Sequence, residues 1–165
     1  MLAAAGVSPA TLYAHFGGKD QLVSAYLQRR LDRWRVVWAQ AIADQPTAED
    51  RLLAVFDALR RFRTDQPSTR GCAFIAVAAE LPGHGHPALD VVAADTDHLR
   101  SQLRALAAEL GTGDPAELAE QVVVAYDGTL SAFLRGGHGD PIARGRRLAL
   151  AAIRASRASG RVGHR

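Results

Sequence analysis

The chain has one cysteine, one lysine and no asparagine among its 165 residues. A lone Cys72 excludes an intramolecular disulfide and fits a reducing compartment. No apolar run approaches the length needed to cross a bilayer. The N-terminus also lacks the basic-then-apolar order of an export signal, so a cytoplasmic protein is expected. No glycine motif that could cradle phosphate, no nucleophile elbow and no paired-carboxylate constellation is present, which argues against an enzyme. His84 and His86 share a glycine-rich turn, with His98 and His138 elsewhere, but no third ligand can be placed beside them. Neither a metal nor a cofactor is therefore expected. Cys72 is followed by Ala73 and Phe74, which supply neither a base nor a positive field, so it reads as a buried or pocket-lining thiol. Net charge is only +3, and the positive charge is spread along the chain, a weak pointer to a polyanion partner. The near-exclusive use of arginine as the cation fits codon bias rather than a mechanism.

What is present is concentrated near the start. Ala3 to Ala5 read as the end of one helix, Gly6 as a tight turn, and Val7 as the plug between two helices. Ser8 can cap the next helix, with Pro9 at its first position, where a missing N–H costs nothing. Leu12 and Phe16 are four apart and face inward with Val7. That leaves Pro9, Ala10, Thr11, Tyr13 and His15 pointing outward. A short helix with small residues at its amino end and an exposed Tyr and His suits the major groove of DNA.

These residues carry a resemblance. Ala5-Gly6-Val7-Ser8, Thr11-Leu12-Tyr13, His15-Phe16 and Lys19-Asp20 resemble the second half of the helix-turn-helix of the TetR family of bacterial transcriptional regulators. A second, separate segment, Gly71-Cys72-Ala73-Phe74-Ile75 with Ala79-Glu80-Leu81-Pro82 and His86-Pro87, is similar to the C-terminal ligand domain of one TetR subgroup. The resemblance implies an all-α fold, with a helix-turn-helix remnant followed by a helical ligand-binding and dimerisation domain. It implies a repressor that binds operator DNA as a homodimer and answers to a small-molecule effector. Ala10 and Thr11 are then expected at base edges, with Ser8, Tyr13, His15 and Lys19 at phosphates and Pro9 beside them. The chain begins at Met1-Leu2, within the last turn of what would be the second helix, so the recognition helix is expected to lack part of its brace. The alternative that follows is a ligand-binding helical dimer without DNA binding.

Beyond this stretch, helical periodicity organises the chain. Leu22, Val23, Tyr26, Leu27, Leu31, Trp34, Val37, Trp38 and Ile42 predict one long helix. Pro46 breaks it, and Thr47 with Asp50 has the spacing of a capping box for a helix carrying Leu52, Leu53, Phe56, Leu59 and Phe62. Residues 72–81 have almost no polar side and predict a short central helix. Leu89, Val92, Leu99, Leu103, Leu106 and Leu110 form the next seam. Asp114-Pro115 and Asp140-Pro141 then open two final helices. These are wider in apolar surface than one core needs, which suggests a partner. On this basis residues 1–43 are the partial DNA-binding region with its connecting helix, 44–157 the ligand and dimerisation domain, and 158–165 a disordered tail. The pocket implied by the resemblance would have Phe56, Leu59, Phe62, Phe74, Ala78, Leu99 and Tyr126 as walls, with Glu80, Asp57 and His98 as polar handles. The dimer contact would use Val122, Thr129, Phe133, Ile142, Ala149 and Ile153.

Overall fold

The computed structural model describes residues 17–65, 72–81, 85–136 and 139–162. Ser8, Pro9, Ala10, Thr11, Tyr13 and His15 lie outside the described residues. Among those described there are six helices and no strand: α1 (Lys19–Ala43), α2 (Ala48–Asp65), α3 (Ala73–Glu80), α4 (Pro87–Ala108), α5 (Pro115–Leu134) and α6 (Pro141–Val162). None of them is long and apolar enough to cross a membrane.

Helix α1 turns Leu27, Leu31, Trp34, Trp38 and Ala41 inward, a stripe at three-and-four spacing, while Tyr26 stays about half exposed. At its far end Arg61 of α2 donates to Asp44 at 2.7 Å, fixing the α1–α2 turn. Thr47 caps α2: its Oγ1 accepts from the Asp50 N–H at 3.0 Å and donates to the Asp50 carboxylate at 2.6 Å. Helix α2 is the centre of the molecule. Leu52 to Phe56 are five consecutive buried residues, so this helix is covered on every side at that level, with α1, α4 and α6 all packed against it.

The central role predicted for residues 72–81 is corrected. In α3 only Phe74 is buried, while Ala78, Ala79 and Glu80 are exposed. The helix packs mainly on α4. Its alanines offer little apolar area, so leaving them in water costs little, and composition overstated how deep it must lie.

The α4 helix starts with His86, whose Nδ1 accepts the Ala88 N–H at 3.1 Å. The same ring reaches across to α1, with Nε2 at 3.3 Å from Asp20 Oδ1, and beside it Ser24 Oγ donates to the Pro87 carbonyl at 3.3 Å. The first turns of α1 and α4 are thus held together. Asp114 and Asp140 cap α5 and α6, accepting the Glu117 and Ala143 N–H groups at 2.9 and 3.1 Å.

Helices α5 and α6 form the most extensive helix pair. Gly145 sets their separation. A Cβ there would overlap Thr129 Oγ1 and fall 2.8 Å from Phe56 Cε1 and 3.1 Å from the Ala125 carbonyl, so only glycine lets the helices approach this closely. Helix α6 runs on to Val162, past Ser156, where loss of apolar periodicity suggested its end. Its last turns are rich in Arg and Ala, good helix formers that need no buried face, and Ser159 Oγ donates back to the Ala155 carbonyl at 3.2 Å.

Candidate functional site

Five helices and Cys72 enclose a cavity of about 190 Å³. Helix α1 supplies Arg30 and Trp34, α2 Leu59, Phe62 and Arg63, and α3 Phe74, Ile75 and Ala78. From the other side come Val92, Asp95, Thr96, Leu99 and Arg100 of α4 and Val123, Tyr126, Asp127 and Leu130 of α5. Its aromatic wall is built around Trp34, which meets Phe62 edge-on at 5.6 Å between centroids and Tyr126 at 6.0 Å. The Arg30 guanidinium lies over the Phe62 ring, 4.8 Å from its centroid.

Burial dominates the electrostatics. It pushes the Asp95 carboxyl up to about 6, helped by the neighbouring charge of Asp127, with Arg35 and Arg30 pulling the other way. Asp127 is raised for the same first reason, with Arg100 opposing. Burial likewise raises the Cys72 thiol, so it is a poor nucleophile, as its apolar neighbours implied. Tyr126 is held far from ionisation, by burial first and then by the charges of Cys72, Asp95 and Asp127.

Of the pocket residues predicted from sequence, Leu59, Phe62, Phe74, Ala78, Leu99 and Tyr126 line this cavity. Phe56 and Glu80 do not. Phe56 is fully buried, stacked edge-on to Tyr126 at 6.4 Å and pressed against Gly145, and Glu80 is exposed at the end of α3. Asp57 and His98 are not handles either. His98 packs edge-on against Trp38 at 5.5 Å, with its pKa lowered by burial and by Arg35. The handles are Asp95, Asp127, Thr96 and three arginines. Sequence reasoning passed over them because a charged residue within a helical period reads as solvent-facing.

Four of the predicted dimer residues are corrected: Val122, Ile142, Ala149 and Ile153 are buried within the single chain, whereas Thr129, though 3% exposed, lines the groove on the outward face of α5 and α6. Phe133 carries the Arg63 guanidinium over its ring, 3.6 Å from the centroid. The outward face of the same two helices is a shallow groove lined by Gln121, Val124, Gly128, Ala132, Leu148 and Ala152 among others. In it Val124 and Leu148 are 70% and 61% exposed. Lys19, the one predicted DNA-contact residue among those described, is exposed in the first turn of α1.

Residues 48–149 match the family model described as the tetracyclin repressor-like C-terminal domain, and residues 2–26 match that of bacterial regulatory proteins of the tetR family. The HTH-type transcriptional regulator YjdC of Escherichia coli (strain K12), like that of Shigella flexneri, is 32% identical over 110 residues. That alignment covers 66% of this chain and 56% of the relative, so the chain spans a little over half the length of these regulators. Among solved structures, SCO4454, a TetR-family transcriptional regulator from Streptomyces coelicolor, superposes with a TM-score of 0.81 at 30% identity. It is matched over 94% of this chain and 82% of its own. The sav143 protein of Streptomyces avermitilis gives 0.73 at 28% identity, over 94% and 84%. With one of these family models covering more than half of its length, the chain belongs to the TetR family of bacterial regulatory proteins.

Proposed function

We propose that this chain is a transcriptional repressor that binds operator DNA as a homodimer and is controlled by a small molecule held in the helical cavity. The observation that carries this is the double role of α1. It begins at Lys19, inside the stretch matched to the DNA-binding family model, and further along it places Arg30 and Trp34 in the cavity wall. A ligand seated against Trp34 therefore acts on the helix that leads out of the DNA-binding unit. The His86–Asp20 and Ser24–Pro87 contacts couple α4, the other wall, to the same first turns. Ligand favours one spacing of the two recognition helices over another, a population shift rather than a new fold.

The exposed groove of α5 and α6 is the surface for the second copy, centred on Val124, Gly128 and Leu148. Ala10 and Thr11 contact bases, while Ser8, Tyr13, His15 and Lys19 hold phosphates. The match of residues 2–26 favours DNA binding over a sensing dimer that lacks it. Operator binding places this work in the cytoplasm, and the role is regulation rather than catalysis.

Fluorescence anisotropy of the chain against DNA from its own upstream region, beside random DNA at low and moderate salt, tests this. The expected result is a salt-sensitive preference for the native fragment. Tyr13→Ala should then weaken binding to all sequences alike, and Thr11→Ala should change the preferred operator. Equal binding to both DNAs at every salt overturns the repressor assignment.

A further inference from the structure

Taking the cavity as the sensory site just proposed, we propose that its ligand is an organic cation, an amine or quaternary ammonium with an aromatic or aliphatic body, seated between Asp95 and Asp127. Both carboxylates line the same largely apolar cavity, one from α4 and one from α5, and neither has a hydrogen-bond or ion-pair partner among the described residues. Tyr126 adds a second observation. It is nine-tenths buried, it lines the cavity, and its hydroxyl has no hydrogen-bond partner among the described residues.

Three arginines also line the cavity, and an anion is the competing class. Each guanidinium, however, already has an occupant. Arg100 Nε lies 3.4 Å from Glu120 Oε2, Arg63 covers Phe133 and Arg30 covers Phe62. Of the two acids, Asp127 is open to solvent and faces Arg100, and half-buried Asp95 is the group whose requirement the chain leaves unmet. Asp127, exposed in the same lining, adds to the burial that raises Asp95, so a positive group beside Asp95 relieves it. The faces of Trp34 and Tyr126 favour the same sign of charge, through the ring quadrupole. Against Asp95 stand Asp127 of α5 and Arg30 and Arg35 of α1, with Arg63 of α2 and Arg100 of α4 in the same lining. The acid's balance is set by burial rather than by these cations.

The test is calorimetric titration of the whole chain with three probes on one skeleton: naphthylmethylammonium, naphthalenemethanol and naphthoate. The ammonium is expected to bind roughly tenfold or more tightly than the other two, the scale of a charge-assisted contact. Its affinity should fall as the pH drops through about 6, where Asp95 takes up a proton. Asp95→Asn, and independently Asp127→Asn, should erase the preference for the ammonium while leaving the alcohol's affinity unchanged, with circular dichroism confirming the fold. Tightest binding of naphthoate would mean that the arginines set the class and overturns the proposal. So would an ammonium preference that survives both substitutions. Equal binding of all three leaves the sensory cavity standing and overturns the cation class, whereas no binding by any of them removes both.

Discussion

Helix α5 has a hollow on each side, and the two are made of different material. Towards α1, α2 and α4 it faces a partly open cavity walled by long aromatic and charged side chains. Towards solvent, with α6, it faces an open groove whose floor is glycine and alanine and whose rims are Val124 and Leu148. The first hollow carries two carboxylates, half-buried Asp95 and exposed Asp127, polar groups of the kind that discriminate small molecules. The other mixes small and aliphatic side chains with Glu117, Glu120, Gln121 and Arg144, and its stripe of Gly128, Ala132 and Ala152 leaves room for another helix. One helix thus reports on both, and the contrast can be broken at four points of decreasing effect.

Gly145→Leu should do the most damage, because Gly145 lies in the seam between the hollows. A side chain there must displace Thr129, Phe56 or the backbone at Ala125, at a cost of about 3 kcal/mol or more, read as a lowered midpoint in thermal denaturation. Next is Leu148→Glu, which touches only the groove. It should raise the dimer dissociation constant roughly hundredfold in sedimentation while leaving the folded chain's own stability within about 0.5 kcal/mol. An unchanged dimer would assign the self-association surface elsewhere.

Asp95→Asn touches only the cavity and should stabilise. The folded carboxyl titrates near 6 against an ordinary value of 3.8, so between those values the folded chain keeps a proton that the unfolded chain releases. Stability therefore falls as pH rises through this window, and the ionised acid costs folding its full penalty above it. The amide escapes that penalty, gaining about 1–3 kcal/mol at neutral pH, with the gain vanishing towards pH ~4 in a series of denaturant titrations. The smallest effect is Asp114→Ala, which removes the cap of α5 and should cost about 1 kcal/mol at either hollow alike.

Much of the architecture was legible because helices announce themselves by period and punctuation. The Thr47, Asp114 and Asp140 caps stand where their spacing placed them, and the apolar stripe of α1 follows the three-and-four spacing of its residues. Depth was harder to read. Helix α3 is more apolar than α2, but leucines and phenylalanines must be buried whereas alanines need not be, so the mixed-polarity α2 is central and α3 is not. Orientation was harder still. Period identifies which residues of α5 and α6 are apolar, not which of two apolar faces meets its own chain. Val122 and Val123 went inward, and Val124 and Gly128 outward. Asp95 and Asp127 were invisible for the opposite reason, since only tertiary packing brings two acids on different helices to one apolar wall.

The shallow seating of α3 bears on time as well as shape. This helix closes part of the cavity with Phe74, Ile75 and Ala78, yet only Phe74 is buried. Lifting it from α4 exposes Phe74 and the half-buried Ala73, Ile75 and Val77, less apolar surface than separating α2 from its neighbours would. A local opening of α3 is therefore expected to be easier than global unfolding, and it would bare one wall of the cavity. Amide hydrogens of α3 would exchange through that local opening, and those of α2 only with global unfolding.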